Sequence, residues 1–467
     1  MEHMSLTEIA AACGGQYFGN ASLLSCTVTG VTIDSRKIEE GYLFIPIKGA
    51  RVDGHDFIPQ VMEKGALCTL SEKKLEDVSH PYILVASCTQ ALKDLAEHYR
   101  RSLDIKVVGI TGSVGKTSTK EMIASVLSQK YQVLKTEGNY NNEIGLPLTI
   151  FRIRKEHHVA VLEMGINHFE EMHRLAKMAR PDICVITNIG FCHLENLIDR
   201  DGVLKAKTEM FDYARPDAKI ILNGDDDKLI TITEVNGQTP KFFGLSKDRD
   251  AYATDIHSLS LKGTECTLHL GEKSMDARIP IPGKHMVYNA LAGALVGQEL
   301  GLTPEEIKAG IESLVPVSGR NNLISTVSLL MIDDCYNANP VSMKASLEVL
   351  STADTRTVAI LGDMFELGEK ENELHAECGK YAVEKGIDVL ICIGTLSKHT
   401  AEGGREACAK NTLTKVPHTD IHYFPSKADF FTEAQKILKK GDTVLIKASH
   451  GMEFPEIVEY LKKSILV

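Results

Sequence analysis

The sequence predicts an α/β protein of three domains: a small mixed α/β unit, a central domain on a mostly parallel sheet, and a C-terminal doubly wound α/β domain. Three observations predict it. The 467 residues exceed what one hydrophobic core usually supports. From Ile105 onward, short apolar runs alternate with helical stretches, as a sheet covered on both faces requires. A Gly-rich turn, Gly112-Ser113-Val114-Gly115-Lys116-Thr117-Ser118, stands between one such run and the start of a helix.

Residues 1–102 read as the first unit. It carries a helix at Leu6–Cys13 with Ser5 as N-cap, short strands around Thr27–Ile33 and Tyr42–Pro46, and a closing helix at Gln90–Arg101. Residues 103–316 form the central unit. Its strands are Val107–Ile110, Val159–Met164, Ile183–Thr187 and Ile220–Leu222, with a helix from Thr117 to about Tyr131. The alternating polar stretch Ala251–Ile281 predicts antiparallel hairpins. A helix at His285–Leu300 follows, whose Ala290, Ala292, Gly293 and Ala294 permit close packing, then one at Pro304–Leu314. Val315–Gly319 reads as a hinge. Residues 317–467 form the last unit, with strands Leu330–Asp333, Thr357–Leu361, Val389–Ile393 and Thr443–Ile446. Helices are expected to start near Pro340, Glu371, Lys427 and Glu453.

Bulk properties exclude several classes. Hydrophobic content of 43% and charged content of 25% are those of an ordinary globular protein. A net charge of −11 supplies no basic stripe for nucleic acid or an anionic membrane. The chain start has no signal pattern and no apolar run approaches a membrane span, so a cytoplasmic protein is expected. The 11 cysteines contain no C-x-x-C pair. Those in apolar runs, such as Cys184 and Cys392, read as reduced core residues.

The Gly-rich turn carries the chemistry. Amides at a helix start lack intrahelical partners and face the positive end of the helix dipole, which suits a polyphosphate. Lys116 would reach the β- and γ-phosphates of ATP and Thr117 would ligate Mg²⁺. The turn is shorter than the common G-x-x-x-x-G-K-[ST], since Ile110 stands at its first position, and a plain glycine turn is the bland alternative. Glu163 and His193 end neighbouring strand regions, where ligands gather in open α/β sheets. Both are candidate metal ligands; a solvated Glu and a structural His are the alternatives. The amide-rich loop with Asn139, Asn141 and Asn142 reads equally as turn chemistry or as a polar-substrate contact. Lys207, on an amphipathic helix, reads by itself as a surface lysine. Arg320 at the hinge, and Asp334, Tyr336, Asn337 and Asn339 after a strand, complete the candidates.

Together, T-G-S-V-G-K-T-S, N-N-E-I-G-L-P-L-T, E-M-G, N-I-G-F-C-H-L, A-K-T-E, G-K-H-M-V-Y-N, S-G-R, D-D-C-Y-N-A-N-P and L-G-D-M-F-E-L-G resemble the Mur ligases over nearly the whole chain. The last two motifs are similar to the branch that adds D-alanyl-D-alanine to UDP-N-acetylmuramoyl-tripeptide. The resemblance implies an ATP-dependent amide ligase acting through an acyl phosphate, with ATP and Mg²⁺ as cofactors and a monomeric state. It implies phosphate binding by Lys116 and the Gly112–Ser118 amides, with Thr117 and Glu163 on a first Mg²⁺ and His193 on a second. Lys207 is implied to be carboxylated and to support that second ion. Asn289 is implied to contact adenine, Asp334 the ribose, and Arg320 the γ-phosphate, with Tyr336 and Asn337 beside the nucleotide. Ser35 and Arg36 of the first domain, with Asn139, Asn142, Asn339 and Lys447, are the implied substrate contacts. His450 stands where the family usually has Arg. Gly283-Lys284-His285-Met286 lacks the common Asn after His. A sibling or folylpolyglutamate synthase-like ligase is the alternative enzyme, and a non-catalytic sensor of the nucleotide-sugar peptide the alternative class.

Overall fold

The computed structural model describes residues 1, 3–76, 80–411 and 419–463. Three sheets follow one another along the chain. The first has five strands, β1 (Gln16–Phe18), β2 (Gly30–Thr32), β3 (Tyr42–Phe44), β4 (Cys68–Ser71) and β5 (Tyr82–Leu84), in the order β1-β5-β4-β3-β2. Only the β1–β5 pair is antiparallel. Leu6–Ala12 is the expected helix, and Ser5 closes a capping box with Glu8. The closing helix runs Cys88–Arg101 and ties this unit to the next. Its buried Arg100 donates to the Ala179 carbonyl at 3.0 Å, and Tyr99 to the Ile153 carbonyl at 2.7 Å. One continuous apolar core therefore spans the first sheet and one face of the second.

The central sheet has nine strands: β6 (Lys106–Thr111), β7 (Val133–Lys135), β8 (Val159–Glu163), β9 (Ile183–Ile186), β10 (Lys219–Asn223), β11 (Lys241–Gly244), β12 (Ala251–Ser258), β13 (Thr264–Leu270) and β14 (Lys273–Ile279). Their order is β14-β13-β12-β11-β10-β9-β6-β8-β7. β6 to β12 run parallel, and β12–β14 are the expected antiparallel hairpins. β6 lies between β8 and β9, so the carboxyl ends of these three strands form one ledge. The helix after β6 spans Lys116–Leu127 and stops short of the expected Tyr131. Helix His285–Glu299 packs on it closely. A Cβ at Gly293 would sit 3.0 Å from Met122 Cγ, and one at Gly297 2.9 Å from Val126 Cγ1.

The last sheet contains β15 (Asn322–Ser325), β16 (Leu330–Asp333), β17 (Thr357–Gly362), β18 (Val389–Ile393), β19 (Asp420–Phe424) and β20 (Thr443–Lys447). Its order is β15-β16-β20-β17-β18-β19, with β15 the antiparallel edge. Helices cover both faces over two apolar clusters. The short strands β1, β4, β5, β7, β11, β15 and β19 were not among the expected elements. Three to five residues give too little periodicity to separate strand from loop. No described helix is long and apolar enough to cross a membrane. The described cysteines carry no disulfide, and Cys184 and Cys392 are buried.

Candidate active site

The ledge at the ends of β6, β8 and β9 opens into a cavity of about 790 Å³, roofed by residues of the last domain. The turn after β6 is a rigid cradle. Gly112 has φ +151°, and a Cβ there would lie 1.9 Å from Thr187 Oγ1. Gly115, at φ +81°, caps the helix that begins at Lys116. The loop after β9 braces the turn. Ser113 N–H donates to the Asn188 carbonyl and Val114 N–H to Asn188 Oδ1, each at 3.0 Å, and Thr187 Oγ1 donates to the Val114 carbonyl at 2.6 Å. Lys116 Nζ donates to the Gly112 carbonyl at 2.8 Å, arching over the turn. Burial pushes its ammonium pKa down, while Glu163 opposes the shift.

Glu163 is 2% exposed. Its Oε1 accepts from Asn141 Nδ2 at 2.9 Å, and Lys120 Nζ stands 3.9 Å from Oε2, which has no hydrogen-bond partner. Lys120 is held by the Thr136 carbonyl at 2.7 Å and Glu121 Oε1 at 3.0 Å. The solvated-Glu alternative is thereby excluded. A buried anionic oxygen with a free lone pair, on a wall shared with Thr117, fits a hard divalent cation. Among the described residues no three His, Cys, Asp or Glu side chains converge. Mg²⁺ does not need such a cage, since it is commonly held by one or two carboxylates with phosphate oxygens and water.

His193, with φ +52°, lines the same cavity. Its Nδ1 lies 2.7 Å from Glu366 Oε2 of the last domain, a close carboxylate–imidazole contact without hydrogen-bond alignment. Burial holds the imidazole pKa below its ordinary value, against the opposing pull of Glu366. Lys207, which its helix alone reads as a surface side chain and the family resemblance implies to be a site residue, is 1% exposed. The reason is local: helix Arg200–Thr208 turns Val203, Ala206 and Lys207 together into the protein. Burial lowers its amine pKa to about 8, with Lys116 adding to the shift. No acidic side chain pairs with it among the described residues.

Arg320 Nη2 donates to Thr117 Oγ1 at 3.1 Å, and its guanidinium carbon lies 4.0 Å over the Tyr336 ring. Asn289 sits under the turn, accepting from Thr119 Oγ1 at 2.9 Å. Asp334, the residue after β16, and Lys447, the last of the adjacent strand β20, form a buried pair at 2.5 Å. Asp334 Oδ2 also accepts from Ser346 Oγ at 2.6 Å, and Lys447 also donates to the Asn337 carbonyl at 3.1 Å. Asp333 accepts the Gly319 N–H at 2.9 Å, fastening the hinge to the end of β16.

Other candidates have structural employment. Asn142 Oδ1 accepts from Ile144 and Gly145 N–H, and Asn339 caps helix Pro340–Leu350. Both still line the cavity, whereas exposed Asn139 does not. Ser35 and Arg36 lie on the first domain outside that cavity; Arg36 pairs with Asp34 at 2.8 Å and is largely exposed. His450 is exposed, with its ring 5.6 Å from that of Tyr336. Sequence reasoning assigned no role to Lys120, Asn188 or Glu366. The G-S-V-G-K-T turn advertises itself by glycine spacing, whereas these three matter through partners remote in sequence: Thr136 and Glu163 for Lys120, Val114 for Asn188 and His193 for Glu366.

Comparison with known proteins agrees with this geometry. Residues 27–100 match the "Mur ligase family, catalytic domain" model, residues 110–297 the "Mur ligase middle domain" model, and residues 319–450 the "Mur ligase, glutamate ligase domain" model. The UDP-N-acetylmuramoyl-tripeptide–D-alanyl-D-alanine ligase of Bacillus subtilis (strain 168) is 38% identical over 94% of each chain. That of Escherichia coli (strain K12) is 34% identical over 99% of each chain. A crystal structure of MurF from Acinetobacter baumannii superposes with a TM-score of 0.89 at 30% identity, covering 99% of both chains. The ADP complex of the MurF ligase from Thermotoga maritima gives 0.81 at 29% identity, over 93% of this chain and 97% of that one. Three family models in chain order and relatives 34% and 38% identical over nearly the whole of both chains show that the chain belongs to the Mur ligase family.

Proposed function

We propose that this protein is the ATP-dependent ligase that joins UDP-N-acetylmuramoyl-tripeptide to D-alanyl-D-alanine in cytoplasmic peptidoglycan precursor synthesis, forming ADP and phosphate. The observation that carries the reading is the convergence of Lys116, Glu163 and Arg320 from separate elements on one cavity. On this reading residues 1–102 bind the nucleotide-sugar peptide. Residues 103–316 bind ATP, and residues 317–467 close over it and take the dipeptide.

A carboxylate is a poor acyl donor. Its oxygen first takes the γ-phosphoryl group, with ADP leaving; the dipeptide amine then attacks the acyl carbon, expels phosphate and loses a proton. Positioning and charge neutralisation carry most of such a transfer. The Gly112–Ser118 amides and the Lys116 ammonium hold the phosphates, and Arg320 supplies positive charge from the roof. Asn289, Asp334, Tyr336 and Asn337 hold the nucleoside. Asn139, Asn142, Asn339, Lys447, Ser35 and Arg36 are the substrate-side contacts. Thr117 and Glu163 would hold one Mg²⁺, and His193 with carboxylated Lys207 a second, and ions held there would supply positive charge against the transferred group. A buried amine with a lowered pKa and no acidic partner is suited to CO₂ capture, which turns Lys207 into an anion.

The test is phosphate release measured with each substrate withheld in turn. Release is expected only when the nucleotide tripeptide and D-alanyl-D-alanine are both present. Release that ignores the dipeptide but responds to a single amino acid would assign the chain to a sibling ligase.

A further inference from the structure

The motif Leu361–Gly368 takes no part in the mechanism above, yet it is held rigidly. Asp363 Oδ1 accepts from Ser397 N–H at 2.7 Å and Ser397 Oγ at 2.6 Å. Met364 N–H donates to His375 Nε2, and Phe365 N–H to Ser449 Oγ, each at 2.9 Å. These anchors come from three different helices and loops of the last domain. The next residue, Glu366, takes φ +64°, a conformation that side-chain-bearing residues adopt sparingly. It extends across the domain boundary to bring Oε2 within 2.7 Å of His193 Nδ1. His193 itself sits at φ +52° on the central domain.

Two unusual backbone conformations thus meet at one carboxylate–imidazole contact between domains. A metal-binding imidazole is generally oriented by an outer carboxylate on its other nitrogen; here Nδ1 and Oε2 stand at the distance for that contact, and a small turn of the ring would align it. Resting on the reading of His193 as a metal ligand, we propose that Glu366 is the positioning residue for His193, delivered by the C-terminal domain. With Nδ1 facing the carboxylate, Nε2 is the nitrogen left for the ion. Completion of the second ion site is thereby tied to domain closure. The Glu366 side chain is 58% exposed, so its removal leaves the core intact.

The experiment is Mn²⁺ titration, with free ion read by electron paramagnetic resonance. The full chain is first saturated with a non-hydrolysable ATP analogue and the nucleotide tripeptide. Glu366→Ala is expected to weaken the second equivalent by about 10- to 100-fold, leaving metal-free nucleotide affinity unchanged. In the pair with His193→Ala the two losses should not add. A Glu366→Ala chain within about twofold of the parent, while His193→Ala loses the ion, overturns the inference but not the His193 assignment. Additive losses also overturn it, since Glu366 would then act elsewhere. Unchanged binding in His193→Ala removes the underlying assignment and the inference with it.

Discussion

Arg320, from the hinge, donates to the Thr117 hydroxyl of the phosphate turn at 3.1 Å, although 203 positions separate them in the chain. The guanidinium carbon of the same side chain lies 4.0 Å from the centre of the Tyr336 ring. The two contacts fix where positive charge enters the cavity when the last domain is closed.

Arg320→Lys keeps the charge and loses the planar fork and the stacked face. The expected result is a fall in kcat of about 10²-fold, with KM for ATP changed much less. Tyr336→Phe retains the ring and should stay near parental activity. Tyr336→Ala removes the platform, worth roughly 0.5–2 kcal/mol. Steady-state kinetics of the three variants check this; a Lys variant with full kcat would remove Arg320 from phosphoryl transfer.

Lys116 is half-buried, and among the described residues its ammonium has the Gly112 carbonyl as hydrogen-bond partner; the attraction of Glu163 is outweighed by desolvation, so removing the charge relieves more than it costs. Lys116→Ala should therefore lower turnover by about 10³-fold while the thermal midpoint holds or rises. Parallel turnover assays and melting curves decide it. A large loss of stability would show that the ammonium holds the turn together.

Lys207 has an amine pKa of about 8, so its neutral, CO₂-reactive fraction grows as pH rises through that value. Incubation with ¹³C-bicarbonate should produce a carbamate resonance that is stronger at higher pH and absent in Lys207→Ala. Acetate or another short carboxylate should return part of the activity of that variant. No carbamate signal, and no rescue with nucleotide binding intact, would rule out the modified lysine.

His375 is fully buried, accepting the Met364 N–H at Nε2 and facing the Glu371 carbonyl at Nδ1. Burial depresses its pKa below the ordinary value of about 6.5. As pH falls below that value the unfolded chain takes up a proton that the native chain refuses, so stability declines with acidity. The decline levels off only below the depressed native value. Urea titrations between pH 7 and 5 should show a shallower slope for His375→Gln than for the parent; equal slopes would remove His375 from the acid response.

The glycine spacing, the strand-then-helix alternation and the cap at Ser5 are local facts, and the central turn, the antiparallel Ala251–Ile281 region and both doubly wound series were legible from them. Glu163 was legible as a strand-end residue, because parallel sheets gather such ends on one edge, whereas His193 lies seven residues beyond the end of β9, at the start of the short helix Leu194–Leu197. The short edge strands were not legible, since their backbone pairing rather than any side-chain pattern defines them.

By itself the amino-acid sequence determined the class of fold, the phosphate cradle and the family likeness, all properties of contiguous residues. Only the tertiary structure decided that Lys207 is buried, that Lys447 answers Asp334, and that Arg320 and Glu366 cross a domain boundary to reach Thr117 and His193. Those outcomes depend on desolvation and on contacts between residues 100 or more positions apart, and neither is written in any window of the chain.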